Sequence, residues 1–403
     1  MQEIKKATHE GITPDLNPKA LKHLFNLALL RRMSDAIGQV YVSFDRKRFL
    51  AIMNQLETLE MKPRVRCLRD ELRTQLPKDY SKALQILLKS ARSGTLKGFD
   101  LWPYSEFIQT YGLEDLTLSL EALKDLTPLF SSEFAVRPFL KRYPVETLKF
   151  LLQCAQDENV DLRRWASEGS RPRLPWGERL QGFIEHPSST AAILEQLKFD
   201  SALYVRKSVA NHLNDIAKDH PQLVLELLAR WKKLAGPKHS IHIGWIIRHS
   251  LRTLIKSGNA QALQLIGVST DPKIQLNDFK LNQKSFQLGD RIQFRFKISS
   301  SSAKPQKLVI DYIIHFVRAN QKTSAKVFKL KTVVLPAGEE LVISKVHHLK
   351  KVTTRTHYPG IHFLEIQVNG GLLGRVKWCL QIEVDRDDAK NQSSTSRRRI
   401  FHV

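Results

Sequence analysis

The sequence predicts a multidomain protein: an all-α HEAT-like repeat superhelix followed by an all-β immunoglobulin-like sandwich. Three observations carry this. From about Asn17 to Gly267 apolar residues recur at three- and four-residue spacing, which marks one face of a helix. Beyond Asp271 the period drops to two, the alternation of a half-buried strand. An apolar-Arg dipeptide also recurs through the helical part at the spacing of a paired-helix repeat. A chain of 403 residues with 42% hydrophobic residues is too long for one core and too apolar for disorder, so separate folded domains are expected.

Residues 1–16 read as a flexible N-terminus and 17–269 as the helical domain. Within it, PKALKHLFNLALLRRM, EDLTLSLEALKDLTPLF, PVETLKFLLQCAQ and HPQLVLELLARWKK each open near a Pro or an acid and gather their leucines on one stripe. The repeated dipeptides are Val136-Arg137, Leu162-Arg163, Val205-Arg206 and Ile247-Arg248, each placed early in a helix; the last two intervals are 43 and 42 residues. Stacked helix pairs of that period turn their second helices toward one concave face. Arg137, Arg163, Arg206 and Arg248 can then form a stripe suited to a phosphate backbone. An arginine early in a helix can equally pack against the neighbouring repeat.

Residues 270–385 carry the period-two segments RIQFRFKIS, KLVIDYIIHFV, AKVFKLKTVVL, ELVISKV, IHFLEIQV and RVKWCLQIEV. Gly289-Asp290, Pro336-Ala337-Gly338-Glu339, Tyr358-Pro359-Gly360 and Asn369-Gly370 fall between them as turns, and Asn-Gly is a strong hairpin signal. Seven or eight strands are expected, the number of an immunoglobulin-like sandwich, although its Cys-Trp-Cys core signature is missing. The two cores read as separate, so cutting the chain after about Thr270 is expected to impair function more than it destabilises the helical part. The tail, 386–403, is polar and reads as disordered, with a basic cluster at Arg397, Arg398 and Arg399.

Charge narrows the function. The 64 Lys and Arg against 40 Asp and Glu leave +24, which points to a polyanion or an anionic membrane surface. Residues 271–403 carry +13 of it and the longer helical part +11, so the β-domain reads as a second contact surface. Cys67, Cys154 and Cys379 lie too far apart for a disulfide framework or a CxxC metal pair, and a reducing cytoplasm is expected. No apolar run has the length of a membrane span, and the first residues lack the apolar core of a secretion signal. A soluble, intracellular monomer is expected, with no membrane partner.

The most unusual segment is DENVDLRRWASEGSRPRLPWGERL. Arg163, Arg164, Arg171, Arg173 and Arg179 crowd around Trp165 and Trp176, with Glu168 among them. Arginines contact phosphates, and an indole can stack on a base or hold a cationic one; the alternative is a repeat junction with a packed Trp and a solvated charged face. In the repeat alignment Glu168 falls opposite Asn211, and Asp215 lies one helical turn further on, so Glu168 and Asp215 can project to one surface. Glu133 reads as an acid at the start of the preceding helix, where the helix dipole alone accounts for it. Carboxylates in a basic groove repel phosphates, so they are costly unless they serve structure or chemistry, such as stabilising the positive charge on a sugar during glycosidic cleavage. No GxxxxGK[ST], HExxH, HxE with PCxxC, or GxSxG motif is present. No metal and no cofactor are expected; His347, His348 and His357 read as a solvated or phosphate-contacting loop.

SSEFAVRPFLKRYPVETL, DLRRWASEGSRPRLPWG, LYVRKSVANHLNDIAKDHPQLVLELL, WIIRHSLRTLIKSGN and LEMKPRVRCLRDELRTQLPKDY together span most of residues 20–268. In these stretches the sequence resembles the AlkC-type branch of the HEAT-like alkylpurine DNA glycosylases. The resemblance implies removal of bases alkylated on ring nitrogens, such as 3-methyladenine and 3-methylcytosine, from double-stranded DNA, and a C-terminal immunoglobulin-like domain that helps grip the duplex. It also implies that Glu133, Glu168 and Asp215 are the active-site carboxylates and that Phe134, Arg164 and Trp176 surround the lesion or the adjacent backbone. The reading is a monofunctional DNA glycosylase; its rival is a non-catalytic scaffold that binds bent or damaged DNA through the same basic faces.

Overall fold

The computed structural model describes residues 20–352 and 355–382. The expected flexible N-terminus and the basic tail lie outside them. The chain divides into two compact units, Met1–Asp215 and Ile216–Val403.

In the first unit the order is α1 (Leu27–Val40), α2 (Arg46–Ala51), α3 (Met53–Leu56), α4 (Met61–Gln75), α5 (Tyr80–Ala91), α6 (Trp102–Tyr111), α7 (Leu116–Leu126), α8 (Arg137–Arg142), α9 (Pro144–Cys154), α10 (Val160–Gly169), α11 (Gln181–Glu185), α12 (Ala191–Leu197) and α13 (Leu203–Ile216). Side-chain caps set several starts: Asn26, Asp45, Asp79 and Asn159 each accept from a backbone N–H in the first turn of α1, α2, α5 and α10. The Asn26 cap divides the stretch expected as one helix, because Asn26 itself is extended and Leu21–Leu24 before it forms only a 3-10 turn. Prolines open α8 and α9, where a missing N–H costs nothing.

The second unit begins with α14 (Pro221–Leu234), α15 (Gly236–Ser250), α16 (Arg252–Lys256) and α17 (Ala260–Leu265). Its strands are β1 (Ile274–Leu281), β2 (Ser285–Gln287), β3 (Arg291–Ser300), β4 (Gln306–Val317), β5 (Thr323–Leu335), β6 (Glu340–His348), β7 (Gly360–Val368) and β8 (Gly371–Gln381). They form two sheets, ordered β1-β3-β6 and β2-β8-β7-β4-β5, antiparallel except for the β2–β8 pair. Phe294, Phe296 and Ile298 of β3 meet Ile310, Tyr312 and Ile314 of β4, with Ile366 and Trp378, in the sandwich core. The sequence patterns located β3 to β8 but not β1 or β2. In β1 a register shift between Asn277 and Lys280, with Asp278 at φ 56°, breaks the alternation, and β2 is only three residues long.

The sandwich core is built from residues of the strand region alone, and a small separate apolar cluster joins the last helices of this unit to its outer face. Leu308, Ile310, Tyr312 and Ile314 face the sandwich interior, whereas Val309 packs outward with Leu263 and Val268. Asn369 and Gly370 make the two-residue β7–β8 turn, both at positive φ. The Asn369 amide donates to the Ser269 and Lys307 carbonyls and its side-chain oxygen accepts from Val309 N–H. Gly370 lies directly against Gly258 in the turn after α16: a Cβ on either would come within 2.8 Å of the other's Cα. A cut after Thr270 would therefore strip apolar surface and backbone partners from α16 and α17. No helix among the described residues is long and apolar enough to cross a membrane.

Candidate active site

The arginine-rich segment is helix in its first half. Arg163, Arg164, Trp165 and Glu168 lie on α10, and only the following residues, up to Leu180, form the loop before α11. Glu133 is not at a helix start: it lies in the turn that precedes α8 by four residues. Asp215 sits near the end of α13.

These three acids meet through two arginines. The Arg164 guanidinium is ion-paired with Glu133 and donates to Ser131 Oγ at 2.7 Å, while Ser131 Oγ donates to Glu133 at 2.9 Å. Arg164 Nη2 also lies 3.7 Å from Glu168 Oε1. The same Glu168 oxygen accepts from Arg171 Nη1 at 2.6 Å, and Arg171 Nε donates to Asp215 Oδ2 at 2.9 Å. The result is an alternating ladder, Glu133–Arg164–Glu168–Arg171–Asp215. Glu168, Arg171 and Asp215 are buried, and Glu133 and Arg164 are nearly so. Burial pulls both guanidinia down, but the carboxylates outweigh it: Glu133 and Glu168 raise Arg164 above its ordinary value, and Glu168 and Asp215 raise Arg171. The Arg164 guanidinium also lies over the Tyr204 ring at 5.1 Å.

Below the ladder, His212 ties α10 to α13. Its Nδ1 is 3.0 Å from the Ser167 carbonyl oxygen and its Nε2 is 3.2 Å from Thr190 Oγ1. Complete burial, then the nearby Arg171 charge, pushes the imidazole down to about 3, so it is neutral. It stands one turn before Asp215 and fixes the helix face that presents this acid.

Arg137 does not face outward. It is buried and its guanidinium donates to the carbonyls of Gly169, Arg171 and Glu178, fastening both ends of the loop after α10. Burial and Arg171 lower it to about 10. In that loop Trp176 adopts φ 65° with an exposed indole, a strained backbone for a bulky residue, and Lys62 donates to its carbonyl. Phe134, next to Glu133, stacks on the buried Trp102 at 5.5 Å. Phe134 and Trp176 border a cleft of about 110 Å³ whose other walls include Arg66 and the buried Glu106. Burial raises the Glu106 carboxyl in spite of nearby Arg69 and Arg66.

The repeated arginines occupy carbonyls. Arg163 donates to the carbonyls of Asp157 and Glu158 and pairs with Asp200 at 2.7 Å; Arg206 donates to those of Asp200 and Ser201. In both cases the targets lie six and five residues before the arginine, so the 43-residue echo reflects one structural joint used twice. With Arg137 they hold loops instead of forming an open stripe. Arg248 breaks the pattern, because it lies in the last turn of α15 and is exposed. It belongs to a different environment from Arg163 and Arg206.

Arg171 and His212 were not singled out as site residues from sequence. Arg171 sits three residues after Glu168 and His212 three before Asp215, spacings that put partners on adjoining turns. Chemically, two fixed guanidinia hold three carboxylates in a largely water-free setting, with the Arg137 cation close to Glu133 and Asp215. Such a group suits a reaction in which positive charge grows on the substrate.

The model of the C-terminal Ig-like domain of the uncharacterised protein YhaZ matches residues 275–382. The uncharacterised protein YhaZ of Bacillus subtilis is 38% identical over 353 residues, 87% of this chain and 96% of that protein. The solved structure of the Pseudomonas fluorescens alkylpurine DNA glycosylase AlkC, bound to DNA containing an abasic site analogue, is similar with a TM-score of 0.85 and 41% identity, covering 90% of this chain and 99% of that one.

Proposed function

The chain belongs to the family of YhaZ and AlkC, and on that premise we propose that it is a monofunctional DNA glycosylase for cationic N-alkylated bases in double-stranded DNA. It hydrolyses the N-glycosidic bond of lesions such as 3-methyladenine and 3-methylcytosine. Water adds its oxygen to C1′ and releases a proton; the bond electrons leave with the base, which loses its positive charge, and an abasic site remains. Because the leaving group is already cationic, no strong general acid is required.

The observation that carries this reading is the buried ladder of Glu133, Glu168 and Asp215 joined by Arg164 and Arg171. A carboxylate held by a guanidinium needs no reorientation when the oxocarbenium-like sugar forms, and one of the three orients the attacking water. Phe134 and Trp176 border the lesion. Residues 17–269 carry the chemistry, 270–385 hold the duplex, and the protein works on DNA in the cytoplasm.

The test is incubation with duplex containing 3-methyladenine or 3-methylcytosine, read as free base and abasic sites. Wild-type protein should release base, and Glu168→Gln should abolish release while DNA binding persists. Intact binding with no release from any lesion would leave the scaffold reading in its place.

A further inference from the structure

A second concentration of charge lies wholly within the second unit, where α15 and α16 face β4 and β5. A cleft of about 120 Å³ is lined there by Arg248, Arg252, Lys256, Lys307 and Lys329, with Asp311 as its one acid. We propose that this cleft binds a phosphodiester group of the DNA backbone. The proposal rests on the DNA-glycosylase reading and adds to it a contact shared by the last helices and the sandwich.

Three of the five cations are unspent among the described residues, while Arg252 donates to the His249 carbonyl at 2.6 Å. Arg248, Lys256 and Lys329 are exposed, and their side chains make no hydrogen bond or ion pair with the described residues. Lys307 donates to the Ile266 carbonyl at 2.8 Å, and burial, Arg248 and Lys232 all lower its ammonium. Cations crowded against one another beside the apolar Ile255, Ile266 and Val309 repel, and an anion placed among them relieves that repulsion.

Asp311 does not cancel them. A register shift between Ile310 and Asp311 sets Asp311 opposite Lys329 and leaves Leu330 as the extra residue of β5. The Asp311 carboxylate accepts the Leu330 N–H, and neither Lys256 nor Lys329 comes within ion-pairing distance of it. Lysines on an edge strand such as β5 commonly serve only to prevent pairing with another sheet. That explanation covers Lys329 but not the convergence of Arg248 and Lys256 from two helices. A single phosphate oxyanion bridging these groups would also fasten α15 and α16 to the sandwich that carries β4 and β5.

Binding of full-length protein to a lesion duplex, measured against salt concentration, tests this. The doubly substituted protein carrying Arg248→Ala and Lys329→Ala should bind more weakly, with a slope of log affinity on log salt shallower by about one unit. Asp311→Asn keeps an acceptor for Leu330 and should bind more tightly than wild type. Opposite signs in the two proteins, with unchanged melting temperatures, identify a charge effect and not damage to the fold. An unchanged slope in the double variant, or weaker binding by Asp311→Asn, would overturn the proposal. So would an effect seen only on duplex carrying 5′-terminal phosphates, which would assign the cleft to free phosphate ends. Wild-type protein that neither binds nor releases base would sink the underlying function as well, an outcome distinct from a wild type that works and a variant that matches it.

Discussion

The carboxylate ladder and the cleft at α15–α16 are both rich in arginine, yet they use it in opposite ways. In the ladder Arg164 and Arg171 are spent on acids, and nearby Arg137 on backbone carbonyls. In the cleft Arg248, Lys256 and Lys329 make no hydrogen bond or ion pair with the described residues. A net charge of +24 therefore says little about where DNA phosphates bind. Pairing decides that: neutralised cations build and orient the site, and unpaired ones are left to attract the polymer.

The sharpest way to break this contrast is Arg171→Met. It leaves Glu168 and Asp215 buried without their shared partner, and removing one side of a buried ion pair costs about 3–5 kcal/mol. Base release should be lost, and the urea midpoint should fall with an unchanged m-value. A variant as stable as wild type would mean that Arg171 is not needed to hold the two acids.

Next in size is Arg206→Ala, which removes the donors to the Asp200 and Ser201 carbonyls at the start of α13. A loss of about 1–3 kcal/mol in stability is expected. The salt slope of DNA binding should not change, since this guanidinium faces backbone. A slope shallower by a full unit would return Arg206 to the phosphate-contacting role that its repeat position suggested.

That outcome bears on what was legible in the sequence. Periodicity separated the helical region from the strands because 3.6- and 2-residue patterns are imposed by burial of one face. The patterns located six strands, missing β1 because its bulge scrambles the alternation. The 43-residue echo was visible, but a sequence does not say whether a recurring guanidinium meets a phosphate or a carbonyl, and here the carbonyls were a few residues upstream. Glu133, Glu168 and Asp215 were each ambiguous alone; the repeat alignment turned Glu168 and Asp215 toward one surface, and the family resemblance added Glu133. Arg171 and the cleft at Arg248 escaped for different reasons. Arg171 was hidden among five arginines of one segment, whereas the cleft is assembled from residues more than eighty positions apart.

A separate effect comes from pH. In the unfolded chain His212 has the ordinary histidine value of about 6.5, but in the fold it is held down to about 3 by burial and Arg171. Between these values the unfolded state binds a proton that the native state refuses. The contribution of His212 is thus fully present above about pH 6.5 and declines as pH falls toward 3, by up to about 1.4 kcal/mol per pH unit. Urea midpoints from about pH 4 to pH 7 should show this slope in wild type and lose it in His212→Gln. An identical slope in both proteins would remove His212 as its source.

The smallest expected effect on the fold falls in the cleft and is informative for that reason. Arg248 is exposed at the end of α15 and holds no carbonyl or carboxylate of the described residues, so Arg248→Ala should change stability by no more than about 0.5 kcal/mol. It could even rise slightly, because Arg248 contributes to the repulsion that lowers Lys307. Arg206 and Arg248, separated by 42 residues and matched by dipeptide, should then differ several-fold in their cost to the fold and in the reverse sense in their effect on DNA affinity. Equal costs to stability would show that Arg248 is spent internally after all, and the division between paired and unpaired arginines would lose its clearest member.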